Sequence, residues 1–147
     1  MKSILRSFAT LSLAAGISAG AVPVKVQVYK TATCGCCAKW VEHLKANGFL
    51  VNVENVPSTA EYRKKFGVPD QLASCHTAVA AGYTIEGHVP AADLKRLIKS
   101  HSKAKGLAVA GMPSGSPGME GAKADTFATM VFEKDGKVSV FELHTAH

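Results

Sequence analysis

Apolar and polar positions alternate from Val24 to Tyr29, with Val24, Val26 and Val28 on one face and Lys25 and Gln27 on the other. That period of two predicts a strand. Residues 31–33 form a loop whose threonine hydroxyls could cap a helix. The period then changes: Cys37, Val41 and Leu44 recur at helical spacing, which predicts a helix over 36–46 ended by Asn47-Gly48. A second strand is expected over 49–56, stopped by Pro57, and a short helix over 61–66 between Thr59 and Gly67. Strand, helix, strand, helix in this order predicts an α/β layer with parallel strands. Residues 77–81 and 83–86 flank Gly82 as a hairpin, introduced by Ser74-Cys75-His76 and followed by Gly87-His88-Val89-Pro90. A helix over 91–101 presents Leu94, Leu97 and Ile98, and a terminal hairpin runs 127–132 and 138–143 about Asp135-Gly136. Between them, 106–121 is rich in Gly, Pro and Ser. It has the composition of a linker, but it lies inside the domain and carries Met112 and Met119, so an ordered functional loop is expected. No internal repeat is apparent.

The N-terminus changes the picture of the environment. Lys2 and Arg6 precede an apolar, small-residue segment over 8–19, and Ala19-Gly20-Ala21 fits a signal cleavage pattern. The segment is too short and too rich in Ser, Thr and Gly to span a bilayer stably. Residues 1–21 are therefore expected to be a secretory signal and 22–147 a single domain, periplasmic, with no membrane anchor once the signal is removed. The formal charge of +6 includes two cations of that leader, and the remaining lysines are scattered without interleaved aromatics. No nucleic-acid surface is indicated.

Export gives the cysteines their meaning. In an oxidising compartment, free thiols pair unless a metal or a redox partner protects them. Cys34-Gly35-Cys36-Cys37 places three thiols in four residues between a strand and a helix start, with Cys75 as a fourth. The positive end of a helix favours the thiolate, which is both nucleophile and metal ligand. A bridge inside the tetrad closes a tiny loop and stabilises the fold little, so it makes more sense as chemistry than as a staple. A plain structural bridge with a spare thiol is the bland alternative. Crowded thiolates suit a soft ion such as Cu(I), for which thioethers and imidazoles are acceptable companions. The candidate metal ligands are thus Cys34, Cys36, Cys37, Cys75, Met112, Met119, His76 and His88, enough for more than one ion; Cys34 and Cys37 are the pair for redox chemistry. Zinc would be served by the cysteines alone, with a different spacing and no use for methionine. His43, His101, His144 and His147 are expected to do nothing specific, although the last two could trap metal weakly at a frayed C-terminus, and Trp40 to be core.

The order of elements is the plan of a thioredoxin-like α/β sandwich with an inserted hairpin and a Gly/Pro/Met loop before the terminal hairpin. That plan places a cis proline against the cysteine pair, with Pro113 as its candidate, which would bring Met112 within reach of Cys34 and Cys37. Thr33-Cys34-Gly35-Cys36-Cys37 with Trp40, Cys75-His76-Thr77-Ala78, Glu86-Gly87-His88-Val89-Pro90 and the run from Gly111 through Met119-Glu120 resemble the CopG-like copper-resistance proteins. The resemblance extends over essentially the whole mature chain; Ala110 stands where a proline is common. It implies a thioredoxin-like fold, periplasmic copper handling, interconversion of Cu(I) and Cu(II), and copper carriers or efflux components as partners. Two other functions compete. A thiol–disulfide oxidoreductase would use Cys34 as nucleophile and Cys37 as resolving thiol. An arsenate-reductase-like enzyme would need an arginine beside the cysteine, and only Arg63 and Arg96 follow the leader.

Overall fold

In a computed structural model, which describes residues 22–146, the chain forms one seven-stranded mixed sheet with helices on both faces. The leader expected over 1–21 and His147 lie outside the described residues. The elements run β1 Lys25–Lys30, α1 Gly35–Ala46, β2 Leu50–Asn55, α2 Ala60–Lys65, β3 His76–Ala80, β4 Tyr83–Glu86, α3 Ala91–Ser100, β5 Gly106–Ala108, β6 Phe127–Phe132 and β7 Val138–His144. The strands lie in the order β2-β1-β3-β4-β5-β6-β7. β1 and β2 are parallel, as are β4 and β5, and the other neighbours are antiparallel. No helix of the described residues is long and apolar enough to cross a membrane.

The alternation read in β1 has its physical counterpart. Val26 and Val28 face a core built with Trp40, Val41 and Leu44 of α1, Leu94 and Leu97 of α3, and Ile85 and Leu107 from the sheet. Tyr29 points the other way and stacks on Tyr62 and Phe66 at the α2 end, with ring centroids 4.1 and 5.6 Å away. A second, smaller core lies on the opposite face of the far strands, where Val68 and Leu72 meet Ala108 and Phe132. Truncating a fully buried anchor such as Trp40 would cost about 3–5 kcal/mol in a core of this kind.

β5 was not among the expected elements. Its three residues, Gly106–Ala108, are all buried and occupy the first part of the segment expected as a loop. Leu107 and Ala108 face opposite cores, as strand geometry requires. Gly106 is needed here because a Cβ would lie 1.8 Å from the Thr84 carbonyl oxygen. This short strand joins the β3–β4 hairpin to the β6–β7 hairpin in one sheet.

Two further expectations are corrected. No cis peptide occurs among the described residues, so Pro113 does not play the cis-proline part. The threonines of the 31–33 loop do not cap α1 either: Cys34 is the N-cap residue and makes no side-chain capping bond. The remainder of the Gly/Pro/Met loop, after β5, is ordered onto the first turns of α1. Gly118 makes this possible, since a Cβ there would lie 2.7 Å from the Cys36 carbonyl oxygen and 2.8 Å from the Trp40 nitrogen.

Candidate metal centre

β1 delivers the chain to the N-terminus of α1, and β3 starts beside the end of β1, with Lys30 opposite His76 in the register. Four cysteine sulfurs therefore meet at one end of the sheet. Cys34 and Cys37 form a disulfide with Cα atoms 5.3 Å apart, while Cys36 and Cys75 are free. Cys36 Sγ lies 3.5 Å from Cys34 Sγ, and Cys75 Sγ lies 3.5 Å from Cys37 Sγ. Each sulfur of the bridge thus has a free thiol as its neighbour. The first turn of α1 carries no acidic residue, so nothing opposes the positive helix end.

On the far side of Cys75 stand two buried imidazoles. His88 Nδ1 donates to the Pro117 carbonyl at 2.8 Å. A carbonyl can only accept, so the proton sits on Nδ1 and the lone pair of Nε2 faces Cys75 Sγ, 3.1 Å away. The Cys75 thiol donates to that lone pair, and His76 Nδ1 lies 3.4 Å from the same sulfur. His76 packs at 4.3 Å against Trp40 and edge-on to His88 at 5.0 Å. Its Nε2 is buried with no hydrogen-bond partner among the described residues. Such an orphan costs about 1–3 kcal/mol and points to a missing ligand.

The ionisation states suit this arrangement. Burial, helped by the neighbouring His88 ring, pulls His76 down to about 3, and burial likewise lowers His88 against the raising effect of the Pro117 carbonyl. Both imidazoles are neutral and offer lone pairs. Burial, reinforced by the nearby Cys36 sulfur, pushes the Cys75 thiol up to about 12. A cation entering the cluster would displace that proton. The ligand atoms of Cys34, Cys36, Cys37 and Cys75 all lie within 4.8 Å of one another, and so do those of Cys75, His76 and His88. Cys75 belongs to both sets.

The Gly/Pro/Met loop brackets the cluster. Gly111 is bonded through its N–H to Ala73 at 3.0 Å and through its carbonyl to the Ser74 hydroxyl, which anchors the backbone before Met112 beside the Cys75 segment. Met112 itself is 53% exposed. Met119 lines a groove of about 490 Å³ shared with Gly35, Cys36, Lys39, Ser114 and Glu120. A larger groove of about 630 Å³ over β1 and β2 has no thiol, imidazole or carboxylate in its lining.

Several residues behave differently from their sequence expectations. His88, read as part of a turn, is fully buried. Trp40 is core, with its indole N–H donated to Val89 at 2.9 Å, and it also walls the cluster through His76. His43 accepts the Ala91 N–H at 3.0 Å, at the start of α3. His144 is held by Asp93, its Nε2 2.8 Å from the carboxylate. Arg63 is committed to the Ser74 carbonyl and Glu86, and Arg96 to Glu142, so neither serves as an anion-binding arginine at the cysteines. Glu86, absent from the sequence candidates, lies at the cluster's edge, fully buried.

The fold and site define an α/β domain with a partly buried sulfur–imidazole cluster suited to a soft metal. A family model described as a protein of unknown function, DUF411, matches residues 72–119, a stretch that includes Cys75, His76, His88, Met112 and Met119. Two solved structures of a copper resistance protein, copG, forms 2 and 1, are each 40% identical to the chain. Each covers 84% of this chain and 99% of its own length, with TM-scores of 0.80 and 0.79. No curated protein matches. The chain belongs to the CopG family.

Proposed function

We propose that the protein is a periplasmic copper-binding protein of copper resistance, exported by a cleaved signal over 1–21, that holds Cu(I) through sulfur and imidazole ligands. The observation that carries this reading is the sharing of Cys75 between a four-sulfur group and a sulfur–imidazole–imidazole group. Thiolates select Cu(I), whereas a cysteine with two histidines is a donor set that accepts Cu(II) as well. A cluster with both halves suits an ion that changes oxidation state. Cys34, Cys36, Cys37 and Cys75 are the thiolate ligands, His76 and His88 the imidazoles, and Met119 and Met112 the outlying thioethers. More than one ion fits so many donors if thiolates bridge.

The disulfide supplies a balanced redox step. When the Cys34 and Cys37 thiols join, two electrons and two protons leave, enough to reduce two Cu(II) ions to Cu(I). Reduction of the bridge by an external thiol donor returns both sulfurs as ligands. The same bridge at a helix start favours a second reading, a thiol–disulfide oxidoreductase working through Cys34 and Cys37. Against it, Cys36 and Cys75 sit 3.5 Å from the two bridge sulfurs and would compete for the reactive thiol. The similarity to a copper resistance protein supports the copper reading, and copper carriers or efflux components of the same compartment are the expected partners.

Anaerobic titration of the reduced mature protein with Cu(I), with metal and free thiols counted on the product, tests the proposal. Tight binding that protects all four thiols is expected. Weak binding together with ready reduction of a test disulfide would replace the copper reading with the oxidoreductase.

A further inference from the structure

Glu86 is a fully buried carboxylate two residues before His88, and it points at neither sulfur nor imidazole. One of its oxygens accepts the Ser74 N–H at 2.8 Å and faces the Arg63 guanidinium at 3.4 Å. The other accepts the Thr77 hydroxyl at 2.6 Å. Both oxygens are thus engaged with Ser74, Arg63 and Thr77, and neither bonds a cysteine or histidine of the cluster. Arg63 in turn donates to the Ser74 carbonyl at 2.9 Å. The N–H and the C=O of Ser74, the residue before Cys75, are thus gripped by one ion pair. The Ser74 hydroxyl is bonded to the Gly111 carbonyl, so no polar group of Ser74 is left free.

On the other side of Cys75, His76 begins β3, and its carbonyl accepts the Gly87 N–H at 3.0 Å. The close fit of the two segments demands glycine at 87: its φ is +69°, and a Cβ there would lie 2.5 Å from Ser74 Oγ. The Glu86-Gly87-His88 segment therefore carries one imidazole while anchoring, through Glu86, the backbone that carries the sulfur opposite it. A buried ion pair gives little net stability, because desolvation offsets the attraction, so its presence here calls for another explanation.

We propose that the Glu86–Arg63 pair is the positioning device for Cys75, fixing its sulfur between Cys37 and His88 for metal capture; this rests on the copper reading above. The pair acts through Ser74 rather than by touching the metal. Supporting residues of this kind cost roughly 10–100-fold in metal affinity when removed.

The test compares wild type with Glu86→Gln, Arg63→Met and Arg63→Lys, together with Thr129→Val in a buried polar group unconnected with the cysteines. Cu(I) affinity is read by competition with a chromophoric Cu(I) chelator. In parallel, the metal-free protein with its Cys34–Cys37 bridge intact is treated with iodoacetamide, and alkylation of Cys75 is followed by mass spectrometry with Cys36 as internal reference. Glu86→Gln and Arg63→Met are expected to lower Cu(I) affinity by about 10–100-fold and to raise Cys75 alkylation relative to Cys36. Arg63→Lys is expected to restore most of both, because an ammonium can still reach the Ser74 carbonyl and Glu86. Unchanged affinity and alkylation in both disruptive variants, or an equal loss of affinity in Thr129→Val, would overturn the proposal. If the wild type fails to bind Cu(I), the copper reading falls, and the alkylation ratio alone then decides whether the pair positions the thiol.

Discussion

Two buried polar groups, one around Asp93 and one around Cys75, differ in an instructive way. Asp93 accepts the Thr129 hydroxyl at 2.6 Å and pairs with His144 at 2.8 Å, while Arg96 stands 3.5 Å from its other oxygen. That group is closed: its donors and acceptors are matched to one another, and it ties β6 and β7 to α3. At the cysteines, polar contacts link His76, Cys75, His88 and Pro117 and leave the buried Nε2 of His76 without a partner among the described residues. A histidine pinned to a buried carboxylate, as His144 is to Asp93, ties elements of the fold together. One that keeps a buried ring nitrogen without a partner beside a thiol is prepared for something that is not part of the chain.

The contrast breaks most sharply at Cys75. Cys75→Ser removes the sulfur common to both donor groups, so it should lower Cu(I) affinity by more than the roughly 100-fold expected for a supporting residue, as read by chelator competition. Loss of only a few-fold would mean that the two groups do not work as one site.

Acid should expose the open group next. His76 is held near 3 in the fold against about 6.5 in the unfolded chain, so the unfolded state binds the extra proton between those values. The stability that depends on a neutral His76 is therefore fully present above about pH 6.5 and is lost as pH falls toward 3, by about 1.4 kcal/mol per unit for this one proton. Denaturant melts of the metal-free protein at several pH values measure the slope, and His76→Phe should flatten it.

The closed group should answer only in stability. Thr129→Val deletes a hydrogen bond to a carboxylate and should cost about 2 kcal/mol, seen as a lower Tm, with Cu(I) affinity unchanged. The smallest effect is expected from the thioethers. Met119→Leu, at the groove beside Cys36, should weaken Cu(I) binding by less than about tenfold, and by more than Met112→Leu at its exposed position.

Much of this was legible in the chain. The alternation at Val24 to Val28 and the spacing of Cys37, Val41 and Leu44 are local patterns, and they placed β1 and α1 correctly because both elements bury a single face. The thiols were legible for the same reason: their crowding is itself local. What escaped depends on distance in sequence. Glu86 pairs across 12 residues with Ser74 and 23 with Arg63, and an acidic residue in an alternating strand reads as an exposed face until its partners are known. His144 meets Asp93 across 51 residues, so its structural role had no local signal. β5 is three residues long, and a strand buried on both faces has no alternation to announce it. The cis proline expected at Pro113 came from the general plan of the fold, and the loop from Gly111 to Met119 takes a different course, pinned by Gly118 on α1.

The most direct measurement is X-ray absorption at the copper edge of the mature protein loaded anaerobically with Cu(I). An edge of Cu(I) with a first shell dominated by sulfur and a smaller nitrogen contribution, the nitrogen lost in His88→Ala, is the expected result. A shell of nitrogen and oxygen alone, with all four thiols still free to alkylation, would contradict a thiolate copper centre.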